Sequence, residues 1–290
     1  MNTEPISKII AGTMTWGIWG KNLDQNQMIA TMQCCLENGI STFDHADIYG
    51  GYTTESAFGK AFNTSKINRE TIQLISKCGI QYTAENRNNT IKHYDYSKSY
   101  LIWSVEQSLQ NLQTDYLDIL LLHRPSPLMQ ADEIAEAVQT LKKDGKIKDF
   151  GVSNFTPSQT DLIQSKTSIK YNQIQFSVTD LDAMLNGSLD HMQLNAIQPM
   201  AWNPLGSVFK SDDEKSKRIA IQGKVLAEKY EVSLDVILLT WILKHPSGII
   251  PICGTTDPKR ISQLMQVTSI ALDLEDWFSL WVASTGEKVP

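Results

Sequence analysis

The feature of this sequence that most constrains its fold is a regular alternation of short apolar runs and amphipathic segments along its 290 residues. The run LDILLL at 117–122 is strand-like, and four apolar residues between 134 and 141 follow it at helical spacing. We count eight such units, with strands predicted at 8–11, 40–43, 71–76, 117–122, 147–152, 171–175, 197–202 and 248–253. This pattern predicts an α/β fold, a closed (β/α)8 TIM barrel. Because no linker interrupts it, we expect a single domain spanning 1–290.

Composition narrows the class of protein. A hydrophobic share of 41% and a charged share of 20% are typical of a folded globular chain. The net charge of -6 argues against a general nucleic-acid binder, although a local basic pocket could still hold an anionic cofactor. The start, MNTEP, lacks a signal-peptide pattern, and no apolar run is long enough to span a bilayer. We therefore expect a cytoplasmic protein with no membrane partner.

Polar side chains stand at the ends of three predicted strands. Asp44 follows the second strand, with Tyr49 on the loop beyond it, while Lys77 follows the third and His123 the fourth. The carboxyl ends of barrel strands meet at one rim, so we expect these four side chains to converge. A lysine lowers the pKa of a nearby phenol, and a carboxylate keeps that lysine charged. A tyrosine tuned in this way can donate a proton to a developing alkoxide near neutral pH.

The same residues lie in motifs that resemble the aldo-keto reductase family. The motifs are FDHADIYG at 43–50, SK at 76–77, LHRP at 122–125 and GVSNF at 151–155, and the likeness runs from Gly12 to about Arg260. It is strongest to bacterial members. The resemblance implies NADPH-dependent reduction of aldehydes or ketones to alcohols. In that reaction Tyr49 would be the general acid, Lys77 would tune it, Asp44 would pair with Lys77, and His123 would hydrogen-bond the carbonyl oxygen.

The resemblance also implies a set of cofactor-binding residues for NADP(H). Thr13 and Met14 would lie near the nicotinamide ribose, and Asp44 also belongs to the set. Ser153, Asn154 and Gln173 would contact the carboxamide, and Trp202 would stack on the nicotinamide ring. The loop of Asn203, Leu205, Gly206 and Ser207 would surround the pyrophosphate, where backbone amides can hold anions. Each of these residue types also has a common structural role that involves no cofactor. Serine and asparagine are common turn and cap residues, and an aromatic ring at a barrel mouth could equally be a packing plug.

The last implied cofactor segment surrounds the final barrel helix. It comprises Gly254, Thr255, Thr256, Arg260 and Gln263. Thr255 and the exposed N–H groups of a helix start would suit the 2′-phosphate of NADP. The planar cation of Arg260 would match phosphate or stack on adenine, although a surface helix position is the simpler interpretation. We therefore predict NADP rather than NAD.

The substrate side of the rim is less constrained. Trp16, Trp19 and Tyr52 are candidates for the pocket wall, and the polar insertion at 81–96 could serve as a lid. The chain ends at Pro290, whereas many family members continue with a long carboxyl-terminal loop, so we expect a more open pocket. The expected partner is a small carbonyl substrate, and the expected assembly is a monomer or weak oligomer.

Three other classes of protein share part of this pattern. Tyr94 and Lys98 have the Tyr-x-x-x-Lys spacing of short-chain dehydrogenases, but the glycine-rich turn which that fold requires is missing. A metal-dependent hydrolase would need ligands converging from several strand ends, and the first strand ends without His, Asp or Glu, so we predict no metal. An NADPH-binding regulatory subunit with the same fold stays open as an alternative to an enzyme.

Overall fold

The structure, a computed structural model, describes residues 6–289. Its strands are β1 (Ile10–Gly12), β2 (Thr42–Asp44), β3 (Gln73–Cys78), β4 (Ile80–Gln81), β5 (His93–Tyr94), β6 (Leu117–Leu122), β7 (Ile147–Ser153), β8 (Tyr171–Gln175), β9 (Gln198–Trp202) and β10 (Ile250–Cys253). Its α-helices are α1 (Gln25–Glu37), α2 (Thr54–Ser65), α3 (Lys98–Leu112), α4 (Ala131–Lys143), α5 (Pro157–Gln164), α6 (Asp182–Leu185), α7 (Ser188–Leu194), α8 (Glu214–Lys229), α9 (Leu234–Leu243), α10 (Pro258–Leu264) and α11 (Leu274–Thr285). Short 3-10 helices cover Arg69–Thr71 and Met265–Thr268.

Eight strands close into one parallel barrel. Their order is β1-β10-β9-β8-β7-β6-β3-β2, with β2 returning to β1 through the pairs Ala11–Phe43 and Gly12–Asp44. This confirms the predicted (β/α)8 barrel. Because every barrel strand is parallel to its neighbours, all eight carboxyl ends open on the same rim.

The apolar core has two layers. Seven strand residues form one cluster, Ile10, Ile75, Ile119, Leu121, Met200, Ile250 and Ile252. Residues that alternate with them, such as Leu74 and Leu120, join a larger cluster with the helices. Side chains of a strand alternate between its two faces, so the smaller cluster fills the barrel and the larger one packs the helices against it. All six residues of β6 are buried, which explains why five of them are Leu or Ile, and the one polar residue, Asp118, pairs with Arg69 and Lys148.

Local signals fix several helix ends. Asp24 and Gln27 form a capping box before α1, and Thr156 and Gln159 form another before α5. Gly145, just after α4, adopts the left-handed conformation (φ 70°) predicted for it. These ends set how each helix returns the chain to the amino end of the next strand.

The insertion after β3 is better ordered than its polar sequence suggested. β4 and β5 form a short antiparallel pair, with Ile80 opposite Tyr94. Gly79 has φ 107°, and a Cβ there would collide with the ring of Tyr96. The Tyr96 hydroxyl in turn donates to the backbone oxygen of Arg124 and accepts from its N–H (3.2 Å). The two ends of the insertion are therefore fixed against the barrel rim.

Candidate active site

Lys77 is the centre of a buried polar cluster at the carboxyl rim. Its Nζ lies 2.8 Å from the Asp44 carboxylate, 3.1 Å from the Tyr49 hydroxyl and 2.7 Å from the His45 carbonyl oxygen. Lys77 is 1% exposed and Asp44 is 2% exposed, so water does not replace these partners. An ammonium group has three protons, and each has an acceptor here. Tyr49 therefore accepts from Lys77, and its own proton remains available to another acceptor.

Backbone pairing beyond the strand ends brings Tyr49 over Lys77. After β2, the His45 N–H donates to Ile75 O (2.8 Å) and the Asp47 N–H to Lys77 O (3.0 Å). These bonds extend the β2–β3 pairing into the loop. The Tyr49 N–H then closes a turn on Ala46 O (3.1 Å), which returns the phenol toward the rim.

The neighbouring groups in the cluster keep Lys77 protonated. Burial alone would lower the pKa of Lys77, because desolvation disfavours the ammonium form. The adjacent Asp44 carboxylate and the Tyr49 hydroxyl outweigh this cost and raise the pKa of Lys77 above its ordinary value. The lysine is therefore a cation throughout the neutral range.

The pKa of Tyr49 was expected to be lowered by the nearby lysine, and this expectation was wrong. Burial raises the pKa of Tyr49 above its ordinary value, and the ammonium of Lys77 opposes that shift without reversing it. The sequence shows the neighbouring cation but not how deeply the phenol is buried. The consequence is a phenol that stays protonated at neutral pH, which is the form that a proton donor needs.

His123 completes the cluster as a neutral ring. Its centroid lies 6.1 Å from that of Tyr49, with the two rings nearly perpendicular at 78°. Burial, together with the charges of Lys77 and Arg124, lowers the pKa of His123 well below its ordinary value. A neutral imidazole donates from one nitrogen and accepts at the other, so it can direct a carbonyl oxygen without adding a full charge.

The residues expected at the nicotinamide carboxamide form one hydrogen-bonded chain. The Trp202 indole donates to Asn154 Oδ1 (2.9 Å), the Asn154 amide donates to Ser153 Oγ (2.8 Å), and Ser153 donates to the backbone oxygen of Gln173 (3.0 Å). The Gln173 side chain then donates to Asp44 Oδ1 (2.9 Å). The ends of β7, β8 and β9 are thus joined to the Lys77 cluster.

Thr13 and Met14, which follow β1, were expected near the nicotinamide ribose, but only Met14 is exposed. Thr13 is fully buried, and its hydroxyl donates to Asp44 O and lies 2.9 Å from His45 Nδ1. Its side chain therefore holds the strand ends together and is not free for a cofactor. Met14 is 47% exposed.

The loop after β9 has fewer free amides than expected. The Gly206 N–H donates to Asn203 O (2.9 Å), and the Ser207 N–H donates to Thr179 Oγ1 (3.3 Å). Leu205 packs against the core between them. In this conformation the Gly206 and Ser207 amides are unavailable to a pyrophosphate, because the loop closes on its own backbone and on Thr179.

The start of α10 is also occupied by protein groups. Asp257 accepts from the N–H groups of Lys259 (2.9 Å) and Arg260 (3.4 Å), and its own N–H donates to Thr255 Oγ1 (3.3 Å). The expectation of free amides at this helix start is therefore wrong, since a capping carboxylate fills the place. Arg260 donates to Asp235 Oδ2 (3.1 Å), yet its side chain stays 44% exposed. The remaining predicted residues of this segment, Gly254, Thr255, Thr256 and Gln263, are exposed or half-buried.

Two of the three proposed pocket residues have other roles. Trp16 is 1% exposed and packs in the core against Phe43 (6.1 Å between centroids) and Phe58 (6.0 Å). Placing it on the pocket wall was wrong, because the loop turns its ring inward. The Tyr52 hydroxyl accepts from the Tyr82 N–H (2.8 Å), so this side chain anchors the insertion.

Trp19 does lie beside the cluster. It is 39% exposed, and its ring centroid is 6.3 Å from that of Tyr49. Tyr82, from the insertion, packs edge-on against it at 5.4 Å. The sequence had no signal that singled out Tyr82, because it lies in a polar segment without periodicity.

Two further buried acids, Asp47 and Glu55, lie near the Lys77 cluster. Asp47 is buried with Ser104 donating to it (3.1 Å), and Glu55 is buried with Ser76 donating to it (2.5 Å). Burial and the nearby Glu55 raise the pKa of Asp47 to about 8. Within residues 6–289, no group of three or more His, Cys, Asp or Glu side chains is arranged to hold a metal ion.

The structure is a (β/α)8 barrel with a buried polar cluster at its carboxyl rim, and comparison with known proteins identifies its family. The Aldo/keto reductase family model matches residues 8–280, so the chain belongs to that family. It is 42% identical to the uncharacterized oxidoreductase YcsN of Bacillus subtilis, over 98% of this chain and 96% of that protein. It is 35% identical to a 6-dehydroglucose reductase of Agrobacterium fabrum, over 97% of each chain. The crystal structure of the thermostable aldo-keto reductase Tm1743 superposes with a TM-score of 0.83 at 25% identity, over 97% of both chains.

These comparisons support an oxidoreductase that acts on a small molecule, in a family that uses nicotinamide cofactors. None of the helices within residues 6–289 has the length and apolar character needed to cross a bilayer.

Proposed function

We propose that this protein reduces aldehyde or ketone carbonyls to alcohols with NADPH, and that Tyr49 is the general acid. One observation carries the proposal. All three protons of Lys77 are engaged, and one of them is donated to Tyr49, so the phenolic proton is free for a substrate oxygen.

The residues on the rim fit a nicotinamide dinucleotide. Trp202 is half-buried at the mouth, and its hydrogen bond to Asn154 fixes the plane of its ring. Arg260 provides an exposed guanidinium near the end of β10. A fixed aromatic ring suits stacking on a nicotinamide, and a planar cation suits a phosphate. When bound, the cofactor would supply the hydride.

The chain's own residues would handle the substrate oxygen and its proton. Tyr49 donates its proton to the carbonyl oxygen as negative charge develops there. Lys77 then stabilises the phenolate, and Asp44 keeps the lysine charged. His123, as a neutral donor, fixes the direction from which the carbonyl approaches. The buried surroundings strengthen each of these interactions, since few water molecules compete.

Preference for NADPH over NADH rests on Arg260 in this proposal. Its guanidinium is held by Asp235 and is nearly half exposed, so it is positioned without being enclosed. A dianionic phosphate would attract it more strongly than a ribose hydroxyl would.

Turnover of purified protein tests the proposal. NADPH consumption is followed by absorbance with a panel of aromatic and aliphatic aldehydes and ketones, including 6-dehydroglucose because of the relative that bears this name. We expect saturable NADPH oxidation that depends on the carbonyl compound. Tight NADPH binding with no turnover across the panel would favour the regulatory subunit instead.

A further inference from the structure

Arg124 reaches over the barrel mouth from the residue next to His123. It follows β6, and its guanidinium carbon lies 5.5 Å from the centroid of the Trp202 ring at the end of β9. In the barrel, β7 and β8 separate these two strands. The side chain therefore leans from the proton-transfer side of the rim toward the side proposed for the nicotinamide.

The backbone of Arg124 is held rigidly. Tyr96 donates its hydroxyl proton to Arg124 O and accepts from Arg124 N–H, and Tyr96 is only 5% exposed. Gly79 leaves the space in which the Tyr96 ring lies. The insertion thus fixes the backbone position of Arg124. A binding side chain is preorganised in this way.

The guanidinium lacks an anionic partner. Three of the five arginines in the sequence, Arg69, Arg218 and Arg260, donate hydrogen bonds from their guanidinium groups. Within residues 6–289, Arg124 makes no ion pair and donates no side-chain hydrogen bond; its guanidinium instead lies over the ring of Trp202. In a chain of net charge -6, a half-buried arginine without a carboxylate is a site ready for an anion.

The charge of Arg124 acts directly on the reacting groups. It contributes to the lowered pKa of His123 and opposes the burial that raises the pKa of Tyr49. Lys92, exposed on the insertion, also lowers the pKa of His123. A carbonyl compound at Tyr49 would therefore lie in a positive local field.

Building on the proposed function, we propose that Arg124 determines substrate specificity by binding a carboxylate on the carbonyl compound, while Tyr49 and His123 hold its carbonyl oxygen. The planar fork of a guanidinium matches the two oxygens of a carboxylate. Preferred substrates are then aldehydes or ketones that carry a negative charge at their far end, and neutral analogues bind without this contact.

A matched pair of substrates tests this. The probes are 4-carboxybenzaldehyde and its methyl ester, which differ little in shape but differ by one charge. A hydrogen-bonded charge contact of this kind corresponds to about 10- to 100-fold in kcat/KM. We expect Arg124→Gln to lose that factor for the acid and to change the ester by less than about 2-fold.

Control variants separate a specific contact from general charge. Lys8→Gln removes one positive charge from an exposed position near the amino end of β1, opposite the rim, and should leave the acid-to-ester ratio unchanged. Arg124→Lys keeps the charge but loses the fork, so an intermediate ratio is expected. An equal loss for acid and ester in Arg124→Gln would overturn the proposal. A rise in the Kd for NADPH in that variant would also overturn it, because Arg124 would then serve the cofactor.

A binding measurement keeps this inference independent of turnover. 4-(Hydroxymethyl)benzoate carries the same carboxylate with an alcohol in place of the aldehyde, so it cannot be reduced, and its affinity can be measured by calorimetry in the presence of NADPH. Binding to the natural protein that weakens about 10-fold or more in Arg124→Gln supports the site even if no aldehyde is reduced. Equal or absent binding in both proteins would refute it, whatever the result for reduction.

Discussion

The side-chain amide of Gln173 donates a 2.9 Å hydrogen bond to Asp44, the carboxylate that also pairs with Lys77. Gln173 lies on β8 and Asp44 ends β2, so the bond crosses the barrel mouth. A residue expected to hold the cofactor is therefore in direct contact with the Lys77 cluster. Any ligand that competes for the Gln173 amide also changes the partners of Asp44, and through it the position of Lys77.

Tyr49→Phe tests the general acid. Removing the hydroxyl leaves Lys77 with two acceptors and the carbonyl oxygen without its proton donor, so we expect kcat to fall by about 10²- to 10⁴-fold. NADPH affinity, measured by fluorescence quenching, should change little. Tyr94→Phe is the matched control, since Tyr94 lies on the insertion in the rejected Tyr-x-x-x-Lys motif. Loss of activity in Tyr94→Phe, or full activity in Tyr49→Phe, would contradict the assignment.

The buried pair of Lys77 and Asp44 predicts strong coupling in stability. Either Lys77→Met or Asp44→Asn leaves the other group without its main partner, at a cost of about 3–5 kcal/mol in the free energy of unfolding. The double variant should cost clearly less than the sum of the two. Urea denaturation measures all three. Lys217→Met, which breaks an exposed pair with Glu214, should cost less than about 1 kcal/mol.

The activity should show no histidine ionisation near neutrality. Because the pKa of His123 lies well below its ordinary value of 6.5, the ring is already neutral there, and kcat/KM should neither rise nor fall as pH passes 6.5. Because the pKa of Tyr49 is raised above 10, the phenol should lose its proton only beyond that pH. The measurement is a pH profile of kcat/KM. A fall in kcat/KM as pH rises through about 6.5 that disappears in His123→Asn would show that His123 works as a cation.

Asp47 predicts a pH-dependent stability. Its pKa is raised from 3.8 to about 8 in the folded protein, so the folded state holds a proton that the unfolded state releases over this interval. The proton on Asp47 contributes to the free energy of unfolding at low pH. This contribution is lost as pH rises toward 8, by at most about 1.4 kcal/mol per pH unit. In Asp47→Asn this slope should flatten in urea denaturation series at several pH values. Glu37→Gln, at an exposed position, should keep the slope of the natural protein.

Arg260→Ala should separate the two cofactors. Loss of the guanidinium removes its contact with a 2′-phosphate, so we expect the Kd for NADPH to rise about 10-fold or more while that for NADH changes little. Lys259→Ala, the neighbouring exposed cation on α10, is the control. Since Asp235 loses its partner, the unfolding free energy must be checked in parallel. An equal effect on both cofactors would mean that Arg260 does not recognise the extra phosphate.

Much of the barrel follows from local pattern. β6 and β8 have the predicted bounds, and the apolar stretch of β6 stops at the polar residue His123. β2 and β3 begin two residues later than predicted. Ile72 belongs to the connection, since the 3-10 helix ends at Thr71 and strand pairing starts only at Gln73. Pairing with a neighbouring strand decides such boundaries, and periodicity alone cannot show it.

What the sequence could not give was the direction in which single side chains point. Trp16 and Trp19 lie three positions apart on one loop, yet the first is buried and the second is exposed. Asp47 and Glu55 look like ordinary polar loop and helix residues, and only the packing of α2 and α3 makes them buried acids. The pair β4–β5 was missed because two-residue strands are too short to show an alternating pattern.

The anchoring of the insertion has a practical consequence for engineering. Its stem is closed by the β4–β5 pair and by Tyr96 against Gly79, so the ends stay together whatever connects them. The closure entropy of a loop changes only slowly with its length. The stretch 83–91 should therefore tolerate replacement by peptides of other lengths and chemistry, so that libraries of grafted tips could be tested for altered selectivity on an unchanged barrel.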